Sequence, residues 1–264
     1  MVVDYSVRSH KGFVRRHNED NLCANGEVLP PQADQRCFSM EGKVSLPCFF
    51  AVCDGMGGTD RGGLASFLAV QTLAQRKTEL LSATNCSLKE VVTKVIEEVD
   101  TAIRARCRGE ESAGTTMCLA VMTRHSTRCF NLGDSRIYFH YKGKLIQVTH
   151  DHTWLAEKME NERPLRAESV MENMHKITRC LGVGPKCPVE VYPPLRKKGR
   201  LLLCSDGLTD MLSTQEIAAI LDKRNVPAEA SEALLTSSLD KGGEDNITII
   251  VADIAPRSFL NIFG

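Results

Sequence analysis

The sequence predicts an α+β fold in which helices bracket runs of short antiparallel strands. Three observations carry this expectation. Strand-like segments at 117–123, 127–132, 135–141 and 144–149 follow one another too closely for crossover helices and read as hairpins. Residues 48–53 and 201–204 are apolar without alternation, the pattern of strands buried on both faces. Apolar residues recur at helical spacing in segments that carry capping signals.

Composition frames these elements. The 264 residues contain no Pro/Gly/Ser-rich linker and are read as one domain, 1–264. Hydrophobic content is 42% and charged content 25%, the balance of a soluble globular chain with ample core. Lys+Arg and Asp+Glu are equal at 33 each, so nothing in the charge points to nucleic acid or a membrane surface. The apolar runs are too short to span a bilayer, and Met1-Val2-Val3-Asp4 resembles no signal peptide. The 11 cysteines form no Cys-x-x-Cys pair, and several lie in apolar runs, as buried free thiols do in a reducing cytosol. Cys118 and Arg124 have the Cys-x5-Arg spacing of thiolate phosphatases, but the residues between them read as a buried strand, so that chemistry is rejected.

In chain order, residues 2–9 alternate as a strand. Lys11–Asn21 then joins a glycine turn, a basic cluster with Arg15, and the adjacent acids Glu19 and Asp20. A surface salt-bridge patch is the plain reading of that stretch; a cation site with an anion-binding arginine is the functional one. Residues 25–47 read as an irregular excursion broken by Pro30-Pro31, with a short strand at 36–40. The strand 48–53 ends in Asp54-Gly55-Met56-Gly57-Gly58, where glycines let the backbone turn sharply at a carboxylate. A helix is expected over 64–81, and a second after Ser87, whose Ser-x-x-Glu spacing to Glu90 is a capping box. Residues 151–179 are charged and methionine-rich and read as a mobile lid. His150-Asp-His152 has no third ligand at a plausible spacing, so no metal is assigned to it. Trp154 is read as a packing anchor. The segment 201–208 repeats the earlier pattern, an apolar strand ending in Asp206-Gly207. Helices follow from Ser213, a second capping box, and from Pro227. Gly242-Gly243-Glu244-Asp245-Asn246 leads into a last buried strand, 247–254.

Acids at Glu19/Asp20, Asp54, Asp206 and Asp245 thus lie beside glycines at the mouths of buried strands. Brought together without a cation, they would repel one another strongly. Carboxylates, a carbonyl and water suit hard ions such as Mg²⁺ or Mn²⁺.

These stretches resemble the metal-dependent serine/threonine protein phosphatases of the 2C type, in their compact bacterial form. The resemblance rests on Arg-x-x-Asn-Glu-Asp at 15–20, Phe50–Gly58, Gly114-Thr115-Thr116, and the segments 133–138, 149–154, 178–182, 201–208 and 242–248, all in family order. It implies two packed antiparallel sheets flanked by helices, an α/β/β/α sandwich, with residues 151–179 in the position of the family's flap. It also implies that Asp54 bridges two Mg²⁺ or Mn²⁺ ions and that the Gly55 carbonyl completes one of them. Asp206 and Asp245 hold the other, and Glu19 and Asp20 act through water. Asp134, with Asp206, matches a third, weaker metal site, and Arg15 binds the substrate phosphate. The implied reaction is in-line attack on phosphoserine or phosphothreonine by a metal-bridging hydroxide, with no covalent intermediate.

Met56 stands where many eukaryotic members carry a histidine, which leaves the general acid open. The implied setting is a cytoplasmic monomer in signalling, acting on phosphoproteins opposite a serine/threonine kinase. Two alternatives are weighed. A pseudophosphatase serving as a binding module predicts a missing ligand, and none is missing. A phosphomonoesterase for small metabolites is set aside by the resemblance alone.

Overall fold

Alternate side chains of an apolar strand must each find a buried face, and β5 (Cys48–Cys53) shows how this is met. Cys48, Phe50 and Val52 face a second sheet, whereas Phe49, Ala51 and Cys53 face helices. β13 (Arg200–Cys204) divides in the same way, with Leu201 and Leu203 between the sheets and Leu202 and Cys204 under helices.

These relations come from a computed structural model, which describes residues 1–29, 37–57, 61–107, 112–160, 173, 176–195 and 199–255. One six-stranded antiparallel sheet has the order β11 (Lys144–Gln147), β10 (Arg136–Tyr141), β13, β14 (Ile247–Ala255), β1 (Val2–His10), β4 (Cys37–Ser45). The other runs β12 (Glu190–Val191), β9 (Thr127–Leu132), β8 (Met117–Met122), β5, β2 (Asn21–Ala24), β3 (Glu27–Val28). A small ribbon pairs β6 (Gly55–Met56) with β7 (Gly114–Thr115). The helices α1 (Arg61–Gln75), α2 (Lys77–Ser82) and α3 (Leu88–Arg106) pack on the second sheet. Two others, α6 (Thr214–Lys223) and α7 (Pro227–Asp240), pack on the first. The short helices α4 (Trp154–Glu160) and α5 (Asp206–Thr209) lie between strands in sequence. The expected α/β/β/α sandwich is the fold.

Several local expectations need correction. The excursion at 25–47 contains β4, nine residues paired with β1 along its full length. As an edge strand β4 buries none of its residues completely, so its sequence carries no apolar signature. Gly42 sits there because a Cβ would lie 2.8 Å from the Tyr5 hydroxyl. The helix expected over 64–81 is two, broken at Arg76, whose guanidinium reaches both carboxylate oxygens of Glu98. Ser87 does precede α3, but its side chain caps no helix N–H; it bonds instead with Thr84, in the turn before. The strands β9 and β10 are not a hairpin, because the connection Gly133-Asp134-Ser135 crosses from one sheet to the other. By contrast, the Ser213 capping box forms in full, and Pro227 opens α7. All 11 cysteines are free thiols. Trp154 is half-buried, with Lys158 over its ring. Much of the expected lid, and Pro30-Pro31, lie outside the described residues.

Candidate metal centre

Strand pairing alone brings the acids to one edge of the sandwich. Asn21 pairs with Cys53, so Asp20 and Asp54 leave neighbouring strands at the same level. Cys204 pairs with Ile249 and Arg136, which places Asp206 near both Asp245 and Asp134.

Backbone and hydroxyl contacts fix each position. The Asp54 N–H donates to Thr116 Oγ1 (3.0 Å), and the Asp54 carbonyl accepts from Thr115 Oγ1 and the Thr116 N–H, both at 2.8 Å. The Gly55 N–H donates to the Glu19 carbonyl at 3.2 Å. A Cβ at Gly55 would lie 2.2 Å from the Gly62 carbonyl oxygen and 2.5 Å from that of Glu19, so no other residue fits there. The Glu19 carboxylate packs on Gly62 in the first turn of α1, where a helix favours negative charge. Asp20 is 3% exposed; Ser205 Oγ donates to its Oδ2 at 2.7 Å. The Ser205 hydroxyl also accepts the Thr248 N–H, and Thr248 Oγ1 bonds with Ser9. Asp206 opens α5, and beyond burial its charge raises the carboxyl of Asp54. Asp134 is buried beside Arg136, which is held by both oxygens of Asp151.

Electrostatics shows what this edge lacks. Burial, reinforced by mutual repulsion, raises Asp20 to about 7, Asp206 to about 6 and Asp134 to about 8, and lifts Asp54 well above the usual carboxylate range. Asp20 Oδ1, Asp134 Oδ1 and Asp206 Oδ1 are buried without a hydrogen-bond partner. Buried carboxylate oxygens without donors fit a cation. Arg15 stands at the exposed mouth, where its Nη2 donates to Asp245 Oδ2 at 2.5 Å. Among the described residues no three carboxylate, imidazole or thiol side chains already form a cage for one ion. The acids are therefore arranged for ions that take one or two carboxylates each and complete their shell with a carbonyl and water, as Mg²⁺ does.

His150 and His152 are engaged with protein partners. His152 is buried, accepts the Gly133 N–H at Nδ1 (3.1 Å) and meets Glu190 at Nε2 (2.6 Å), while His150 packs edge-on against Tyr192. His152 steadies the turn that carries Asp134.

The protein phosphatase 2C family profile matches residues 33–241. The chain belongs to that family. It is therefore a protein phosphatase, the hydrolase class its motifs resemble. It is 33% identical over 255 residues to the serine/threonine phosphatase stp of Listeria monocytogenes serovar 1/2a, covering 93% of this chain and 94% of that protein. Among solved structures it is similar to the Mycobacterium tuberculosis serine/threonine phosphatase PstP/Ppp, with TM-score 0.78, 28% identity, and coverage of 97% and 100%. It is also similar to a PstP catalytic domain in complex with 2 manganese ions, with TM-score 0.75, 29% identity, and coverage of 96% and 98%.

The residues missed from sequence are uncharged. Ser205, Thr248 and Asn246 hold the acids and their loops, and each stands beside or near a predicted ligand without a charge to mark it.

Proposed function

We propose that this phosphatase hydrolyses phosphoserine and phosphothreonine in proteins, with the whole chain acting as one catalytic domain. Asp54 would be shared by two Mg²⁺ or Mn²⁺ ions, with the Gly55 carbonyl, Asp206 and Asp245 completing their protein ligands. Glu19 and Asp20 would act through water, and Asp134 would serve a third, weaker ion. The observation that carries this reading is the set of buried carboxylate oxygens without donors, on acids whose charges burial disfavours. When bound, such ions supply a hydroxide near neutral pH and offset the charge that develops on a transferring phosphoryl group, so the ester is cleaved directly. The chain's own part is orientation. Thr115 and Thr116 fix the backbone of Asp54, and Ser205 holds one oxygen of Asp20 so that the other faces the centre. Arg15, exposed at the mouth, would exchange Asp245 for a phosphoryl oxygen, to which a planar guanidinium is matched.

No helix among the described residues is long and apolar enough to cross a membrane. A cytoplasmic monomer opposing a serine/threonine kinase is part of the proposal.

The test is hydrolysis of a phosphothreonine peptide with Mn²⁺, Mg²⁺, Zn²⁺ or EDTA, beside Asp54→Asn and beside sugar phosphates. Activity with Mn²⁺ or Mg²⁺ that is lost in EDTA and in the variant supports the reading. Preference for the sugar phosphates would give it up, and so would a folded protein inactive in every metal.

A further inference from the structure

We infer that Asn246 is a positioning residue: it closes the neck of the loop that carries Arg15 and acts on substrate binding through that arginine. The inference rests on the reading of Arg15 as the phosphate-binding group.

Asn246 is 6% exposed, and its carboxamide makes three hydrogen bonds, all to the segment 11–19. Oδ1 accepts the Glu19 N–H at 2.8 Å. Nδ2 donates to the Lys11 carbonyl and to the His17 carbonyl, both at 2.9 Å. The orientation of the amide follows from chemistry, since a backbone N–H requires the oxygen and two carbonyls require the NH₂. Lys11 and His17 bracket residues 12–16, so a single NH₂ group draws the two ends of the loop together.

What lies beyond that neck is poorly buried. Phe13 is 66% exposed, Val14 is 68% exposed, and Arg15 is exposed as well. The neck has a second anchor in the loop before β14, because the Phe13 N–H donates to the Gly243 carbonyl at 2.7 Å. Asn246 itself cannot give way. Its carbonyl oxygen packs where a Cβ on Gly207 would come within 2.1 Å, and its own N–H donates to Asp245 Oδ1 at 2.7 Å. One rigid side chain thus ties the loop bearing the arginine to the strand mouth bearing Asp245. Serine is too short to span the three partners, and aspartate has no donors for the two carbonyls.

The experiment compares parent, Asn246→Ala, Arg15→Ala and the double variant at saturating Mn²⁺, reading kcat and KM for a phosphothreonine peptide. Misplacing a positioning group is expected to raise KM by about tenfold in Asn246→Ala, with a smaller fall in kcat. In the Arg15→Ala background the same substitution should change KM by less than about twofold, because its route of action is already gone. Amide hydrogen exchange in the metal-free protein should quicken at Glu19 and across 12–17 while β5 stays protected. Should Asn246→Ala fail to fold, Asn246→Ser, which leaves a smaller void, takes its place in each arm.

An unchanged KM in the single variant, or effects that multiply in the double variant, overturns the positioning role while Arg15 keeps its own. A KM unaltered by Arg15→Ala overturns the phosphate-binding reading, and this inference with it. A parent that hydrolyses no phosphopeptide overturns the proposed function instead.

Discussion

Replacing Asp20 by asparagine should make the metal-free protein more stable while it damages the centre. Asp20 is nearly inaccessible, accepts one hydroxyl at Oδ2, and lies near the charges of Asp206 and Asp245. Its carboxyl is raised from an ordinary 3.8 to about 7, with burial the first cause. The folded state therefore binds this proton more tightly than the unfolded chain does. The cost of ionising Asp20 is absent below pH 3.8, grows as pH rises and is complete above about 7, reaching at most about 4 kcal/mol. Asparagine keeps an oxygen for Ser205 and carries no charge. In EDTA at about pH 8.5, Asp20→Asn should thus gain roughly 1–4 kcal/mol over the parent in urea unfolding. At about pH 5 the gain should shrink, and with Mn²⁺ the parent should recover more stability than the variant, because ligand binding favours the folded state by mass action. A variant no more stable than the parent at about pH 8.5, or equally advantaged at both pH values, would refute the argument.

Other perturbations follow from the same contacts. Thr116→Val strips the Asp54 N–H of its acceptor and Ser135 of its 2.7 Å partner; it should cost about 1–3 kcal/mol by urea unfolding and lower kcat. Gly207→Ala places a Cβ 2.1 Å from the Asn246 carbonyl oxygen, so Mn²⁺ binding by calorimetry should be lost or the protein should fail to fold. Arg200 meets both oxygens of Asp253 and the carbonyls of Leu221 and Arg224; Arg200→Ala should destabilise by about 3–5 kcal/mol with Mn²⁺ affinity of the folded fraction unchanged.

The sequence was most legible where one residue type has one physical use. Unbroken apolar runs mark β5 and β13 because both faces are covered, and the Ser213 box and Pro227 mark helix starts whose signals are purely local. The acids were legible because a carboxylate beside glycine at a strand mouth is costly without a cation. Less could be read where tertiary partners decide. β4 exposes alternate residues at a sheet edge, and Arg76 breaks a helix that periodicity would continue. Thr116 and Ser205 matter through atoms that sequence separates widely: Thr116 meets Asp54 62 residues away, and Ser205 meets Asp20 185 residues away. No local pattern carries such a pairing.

The pairing of β1 with β14 has a consequence for how the molecule is made. β1 lies between β4 and β14, so a strand at residues 2–10 waits for one at residues 247–255 before both its edges are satisfied. At about 5–20 residues per second, that wait is roughly 10–50 s on the ribosome. For most of it, the nascent chain holds Asp20 and Asp54 but neither Asp245 nor β14. With Asp245 in the role proposed above, phosphatase activity would begin only once β14 has paired, and a chain cut before β14 would be a client for chaperones rather than a partial enzyme.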